Sequence, residues 1–145
     1  MRQNASHRKQ TRMRGDTTKT VMFKIDYPPT KAGKSAWNRQ YGLNAYYSGK
    51  HWAVRKKDAE YWHAITRAAI RQCIKKPTMF ENPVVIEMYF NDNLDASNHA
   101  AEAKMIEDAL KGVLIEDDNR RCVKGLSMLF HNEDFIKVII REIKE

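Results

Sequence analysis

The hydrophobic period of this chain switches back and forth between two and about 3.6 residues, which confines it to a sheet covered by helices. Val21, Phe23, Ile25 and Tyr27 alternate with Lys24 and Asp26, the pattern of a half-buried strand. Pro28-Pro29 end that strand, because neither residue can donate to a ladder. A second strand over residues 83–90 places Val84, Ile86, Met88 and Phe90 on one face and Val85, Glu87 and Tyr89 on the other. Between these strands, residues 53–75 carry Trp62, Ile65, Ala69 and Cys73 at helical spacing against Lys57, Glu60, Arg67 and Arg71. Pro77 lies just beyond the end of that helix.

A second helix is predicted over residues 98–111, with Ser97 as its cap and Met105, Ile106, Ala109, Leu110 and Val113 as its apolar stripe. Gly112 stands where a left-handed terminating residue is wanted. Residues 123–130 and 135–143 read as two further strands, joined by the hairpin signal Asn132-Glu133-Asp134. The order β-α-β-α-β-β defines a single α+β domain, a mixed sheet flanked by helices.

Two segments fall outside that pattern. Residues 1–18 contain Arg2, Arg8, Lys9, Arg12 and Arg14 with almost no apolar residue, and read as a flexible basic arm ahead of a domain over residues 19–145. Residues 28–52 are broken by Gly33, Gly42 and Gly49 and mix Trp37, Tyr41, Tyr46, Tyr47 and Trp52 with basic side chains. A loop this long in a small domain is functional or disordered.

A length of 145 residues leaves room for one core, and 42% hydrophobic residues are enough to build it. The net charge of +8 creates a field that draws polyanions, of which nucleic acid is the foremost for a soluble protein. No apolar run approaches the roughly 18 residues of a membrane span, so a soluble, unsecreted chain without a membrane partner is expected. Cys73 and Cys122 lack the pairing of a zinc ribbon and read as reduced, buried thiols. No phosphate-binding glycine loop or Ser-His-Asp arrangement is present.

Against this basic background, acids gather near the ends of the second helix. Asp95 precedes it, Lys104 and Asp108 lie on one stripe of it, and Asp117-Asp118 follow it. Hard oxygen ligands of this kind suit Mg²⁺, which polarises a phosphodiester and supplies a water of lowered pKa. Each acid also has a plain structural reading: Asp95 or Ser97 as a cap, Asp117-Asp118 as turn formers, Lys104 and Asp108 as a solvated face. His99 and Glu102 share a helical face as half of a metal site, with no second histidine motif to complete it. His51, Arg55, Lys56 and Lys57 offer charge to phosphates, and Tyr46, Tyr47 or Trp52 offer rings to exposed bases unless they dock on the fold.

The segments Asp95-Ala-Ser-Asn98, Lys104-Met-Ile-Glu-Asp-Ala-Leu110 and Glu116-Asp-Asp118 together resemble the active-site region of the RusA family of Holliday junction resolvases. Pro28-Pro29 and the stretch from Asn44 to Trp52 with Arg55-Lys56-Lys57 resemble further parts of phage-type members, so the likeness spans most of residues 20–145. It implies a RusA-like fold and a homodimer that cuts branched DNA, the four-way junction, with Mg²⁺, or Mn²⁺ in its place. In that reading Asp95, Asp117 and Asp118 hold the metal, Lys104 and Asp108 complete the catalytic set, and Asn98, Lys50, His51, Arg55, Lys56 and Lys57 contact DNA. The implied setting is DNA recombination and repair in the bacterial cytoplasm, with a phage or prophage as a source. Two departures stand out: Ser97 replaces a family aspartate, and the interval from Asn98 to Lys104 is about three residues longer. Either Ser97 reaches the metal through water, Glu102 or Asp108 substitutes, or the chemistry has changed. The alternatives are accordingly a branched-DNA or single-strand-binding protein that does not cleave, and an RNA-binding module whose acids are structural.

Overall fold

A computed structural model describes residues 18–144. The basic arm, apart from Thr18, lies outside the described residues. The alternating segments form strands β1 (Thr20–Asp26), β2 (Val84–Phe90), β3 (Val123–Phe130) and β4 (Phe135–Glu142). Helices α1 (Lys31–Tyr41), α2 (Leu43–Tyr47), α3 (Trp52–Cys73) and α4 (Ala100–Leu110) accompany them, with a 3-10 turn at Ala96–His99. The fold is α+β, with one four-stranded mixed sheet in the order β1-β4-β2-β3.

Register puts the apolar halves of three strands on one face. Phe23 pairs with Val138 and Ile25 with Ile136, while Ile86 pairs with Ile140 and Met88 with Val138. All of these are buried, and α3 packs over them against β1 and α4. The opposite face is partly open, where Met22 is exposed and Arg141 bonds Glu87 at 3.1 Å.

The expected hairpin between the last two strands does not form. β3 pairs parallel to β2, whereas β4 crosses over and inserts antiparallel between β1 and β2. Composition explains the choice. β4 has Ile136, Val138 and Ile140 fully buried on one face and adds half-buried Phe135 and Ile139 to Lys137 and Arg141 on the other, so it is the more apolar of the two and belongs at the centre. β3, with Lys124, Gly125 and Ser127, is suited to an edge. Asn132-Glu133-Asp134 is therefore a crossover tip, held where His131 N–H donates to the Phe90 carbonyl at 3.0 Å.

Residues 28–52 are also not a loop. Thr30 caps α1 by accepting from Gly33 N–H at 3.0 Å, and Trp37 and Tyr41, one turn apart, bury themselves against Trp62. The ring centroids of Trp37 and Trp62 are 4.8 Å apart. Gly33 falls in the first turn of α1 and does not break it, whereas Gly42 ends α1 and starts α2, and Gly49, at φ 92°, lies between α2 and α3.

Other expectations meet smaller changes. The second helix begins with the 3-10 turn, and Ser97 lies inside that turn rather than capping it. Gly112 does adopt the left-handed conformation, at φ 77°. Cys73 is exposed and Cys122 half-buried, both unpaired. Among the described residues no helix is long and apolar enough to cross a membrane.

Trp62 is 0% exposed and Trp52 is 66% exposed. Trp62→Ala is therefore expected to lower unfolding free energy by about 3–5 kcal/mol in urea titration, and Trp52→Ala to stay within about 0.5 kcal/mol.

Candidate functional site

The outer stripe of α4 faces the loop that follows it. Lys104 Nζ lies 2.6 Å from Asp118 Oδ2, 3.0 Å from Asp108 Oδ1 and 3.6 Å from Glu107 Oε1. Lys111 Nζ approaches the same pair, at 3.3 Å from Asp118 and 3.7 Å from Asp108. Asp117 shapes the loop instead of joining the group, since its carboxylate accepts from Asp118 N–H at 2.8 Å and from Asn119 Nδ2 at 3.0 Å.

Electrostatics follow from these contacts. The hydrogen bond from Lys104 holds the Asp118 carboxyl well below the ordinary aspartate range, and the same bond raises the Lys104 ammonium. Burial pushes the Glu107 carboxyl up, against the pull of Lys104. Glu107, Asp108 and Asp118 each offer one carboxylate oxygen, and the three atoms lie within 4.8 Å of one another. Three hard oxygen donors at that spacing fit a small divalent cation.

The sequence pointed to part of this group. Asp108, Asp118 and Lys104 come together as anticipated; Glu107 was missed, although it precedes Asp108 on the same helix. Asp95 stands ahead of the 3-10 turn, exposed, and neither it nor Asp117 belongs to the acidic group that forms.

The expected DNA-contacting residues divide in the same way. Lys50 is turned inward, where it pairs with buried Asp58 and donates to the Gln40 carbonyl at 2.6 Å, with its side chain 12% exposed. It is a structural cation, not a free surface charge. His51 Nδ1 accepts from Ala53 N–H and caps α3. Asn98 Oδ1 accepts from Asn44 N–H at 3.1 Å, tying α2 to the 3-10 turn. Arg55, Lys56 and Lys57 are exposed on the first turns of α3, without an ion-pair partner among the described residues. Of the aromatic side chains, Tyr46 is tied to Asp58 at 2.9 Å, whereas Tyr47 and Trp52 remain exposed beside that basic turn.

A buried polar network behind the site was not anticipated. His99, fully buried, places Nε2 2.8 and 2.9 Å from the two Asp92 oxygens, and Tyr27 donates to Asp92 at 3.1 Å. Burial opposes ionisation of Asp92, but the bond from His99 prevails and holds its carboxyl below the ordinary range. Glu102 is fully buried, and neither of its oxygens has a hydrogen-bond partner among the described residues. A sequence signal existed for it: Glu102, Ile106 and Ala109 share one helical stripe, so an acid on the core side was legible. His99 and Glu102 thus serve the interior, not half of a metal site.

Compared with models of known protein families and with curated protein sequences, the chain matches none.

Burial, and then the charge of Asp92, raise the Glu102 carboxyl well above its ordinary value. Such a group binds its proton more tightly in the folded state. Its contribution to stability is thus fully present below the unfolded pKa and is lost as pH rises through the ordinary glutamate range towards the raised value. Glu102→Gln is expected to flatten that decline in denaturation midpoints measured across pH, while the parent protein loses stability on the alkaline side.

Proposed function

We propose that this protein is a Mg²⁺-dependent, structure-selective endodeoxyribonuclease that resolves four-way DNA junctions by paired phosphodiester hydrolysis, as a RusA-like homodimer. The reading rests on one observation above the others: a lysine set among three carboxylates that converge within reach of one ion, on a chain of net charge +8. Lys104 and Lys111 offset only part of the charge of these three carboxylates, and a divalent cation would offset the rest.

Glu107, Asp108 and Asp118 would hold Mg²⁺, with Mn²⁺ as a substitute, and the bound ion supplies phosphate polarisation and a water of lowered pKa. Lys104, 59% exposed, can turn its ammonium from the carboxylates to a non-bridging phosphate oxygen. Asp117 is a positioning residue, because it fixes the loop that presents Asp118. Asp95 enters the proposal through the family resemblance alone. Arg55, Lys56 and Lys57 neutralise phosphates next to Tyr47 and Trp52, whose exposed rings suit unpaired bases at a branch point. A two-fold dimer matches the two-fold symmetry of a four-way junction, so paired nicks need no further asymmetry.

A second reading has its own support. Lys104 and Lys111 already offset most of the charge of the acidic group, and Ser97 stands where the resemblance expects an acid, an arrangement suited to a protein that binds branched or single-stranded DNA without cutting.

Incubation with a labelled synthetic four-way junction and a matched linear duplex, in Mg²⁺, Mn²⁺ or EDTA, separates these readings. Symmetric, EDTA-sensitive nicks confined to the junction are expected. Asp118→Asn should abolish them, and Lys104→Ala should slow them by about 10²–10³-fold. Tight binding with no cutting in either metal would establish the binding protein instead, and Asp118→Asn cutting as fast as the parent would remove the metal role of this group.

A further inference from the structure

Helix α1, absent from every sequence-based expectation, builds a polar groove that none of the proposed site residues occupies. Its buried side carries Trp37 and Tyr41, and its other side faces the loop after β2. Two hollows lie between helix and loop, one of about 240 Å³ and one of about 180 Å³. Ser35, Asn38 and Asn93 line both, so the two are a single groove, with Lys31 at one end and Arg39 at the other.

The groove is furnished for an anionic, hydrogen-bonding chain. Lys31, Lys34, Ser35, Asn38 and Arg39 recur every three or four residues along one helix, so their side chains form a continuous stripe. Lys34 is fixed in the wall: it donates to the Asn91 carbonyl at 2.5 Å and sits 4.0 Å from the centroid of the Tyr27 ring. Lys31 and Arg39 are exposed and have no ion-pair partner among the described residues. Asp92 is the acid of the lining, and its carboxylate is occupied by His99, by the Tyr27 hydroxyl and by Leu94 N–H at 3.0 Å. Asn38 lines both hollows, and its side-chain amide nitrogen is a donor suited to phosphate oxygens.

Size and shape narrow the ligand. Together the hollows reach small-molecule size, but every lining residue except Leu94 is polar or charged, unlike the mostly apolar wall of a small-molecule pocket. Lys31 and Arg39 are eight residues apart on α1, about 12 Å of helix, and a nucleic-acid strand rises about 3.4 Å per nucleotide, so the two cations bracket about three nucleotide steps. The far end of the groove reaches Leu94, directly before Asp95.

We propose that this groove is a track for the sugar-phosphate backbone of one DNA strand. Lys31 and Arg39 neutralise phosphates at its two ends, while Ser35, Asn38 and Asn93 hydrogen-bond to phosphate and sugar oxygens between them. The strand leaves the groove beside Asp95, which gives that residue a place against the substrate although it stands apart from the acidic group. The inference rests on the nucleic-acid reading above, but not on cleavage.

Fluorescence anisotropy tests it, with a labelled synthetic four-way junction and a labelled single-stranded oligonucleotide, in EDTA, over a series of KCl concentrations. Lys31→Ala and Arg39→Ala are each expected to weaken binding several-fold and to reduce the slope of log K against log[salt] by about 0.7–0.9. Lys76→Ala, beyond the far end of α3, is the control and should leave the slope unchanged. Circular dichroism melts show that all three variants are folded. If the parent binds and the two groove variants match it in affinity and slope, the track is wrong and the nucleic-acid reading stands. Equal losses in Lys76→Ala would also overturn the track, by showing that the affinity is diffuse charge. A parent that binds neither probe overturns both readings together.

Discussion

The sheet depends on the insertion of β4 between β1 and β2. Ile136, Val138 and Ile140 meet Phe23 and Ile25 on one side and Ile86 and Met88 on the other, and the register brings Thr20 opposite Arg141. Nearly the whole length of the chain lies between the strands of that first pair, so the core closes only when the last strand arrives. Loop-closure entropy opposes such pairings until burial rewards them, and six fully or nearly buried aliphatic and aromatic side chains on the two flanking strands supply that reward. β3, parallel to β2 and half exposed, then adds an edge whose position is set by its ladder with β2 and by contact with the 3-10 turn.

With the sheet fixed, α4 carries two incompatible environments on opposite sides. Its inner face presents Ile106, Ala109 and Leu110 to the core together with Glu102, and its outer face presents Lys104, Asp108 and Lys111 to the following loop. A buried carboxyl with no partner is costly, and the proton it retains is the least expensive resolution available to it. The Asp92–His99–Tyr27 network next to it fixes the start of the helix: His99 stacks on Phe90 at 3.9 Å and its other ring nitrogen faces the Ala96 carbonyl at 3.2 Å. The outer stripe therefore rides on a helix whose entry is locked by hydrogen bonds and whose body is locked by packing, the condition under which surface carboxylates keep a defined spacing.

What the sequence revealed, and what it withheld, follows from the range of the signals. The strands, α3 and the left-handed Gly112 were legible because each rests on neighbours within one element. Trp37 and Tyr41 carried the helical spacing of α1, but glycines at 33, 42 and 49 read as breakers, and which of them interrupts a helix is settled by packing on Trp62 rather than by propensity. The turn signal at Asn132-Glu133-Asp134 was real, yet a local turn does not state which strand lies beside which. At the site, Lys104 and Asp108 were legible through their i, i+4 spacing, and Asp118 through the family-like motif. Asp95 was joined to Asp118 by motif, but it is not among the carboxylates that gather with Asp118 in the described residues. Lys50 looked like a surface charge because the acid that captures it, Asp58, is defined only by the docking of α2 on α3.

The two polar features of the molecule complement one another electrostatically. Lys104 and Lys111 offset two of the three charges of Glu107, Asp108 and Asp118, so the acidic group presents only a weak negative field to an approaching polyanion. The α1 groove, with Lys31 and Arg39 unpaired among the described residues, Lys34 paired to Asp134 at 3.3 Å and Asp92 internally bonded, presents a positive one. In the proposed function, an anionic strand would be drawn first to α1 and to the basic turn of α3, and would meet the carboxylates after it is held. Lysines inside the acidic group would serve that order of events, because carboxylates left without counter-charge would repel an anionic strand. The same lysines compete with any metal for the carboxylates, so the strength with which Lys104 holds Asp118 is the quantity that decides between a nuclease and a protein that only binds.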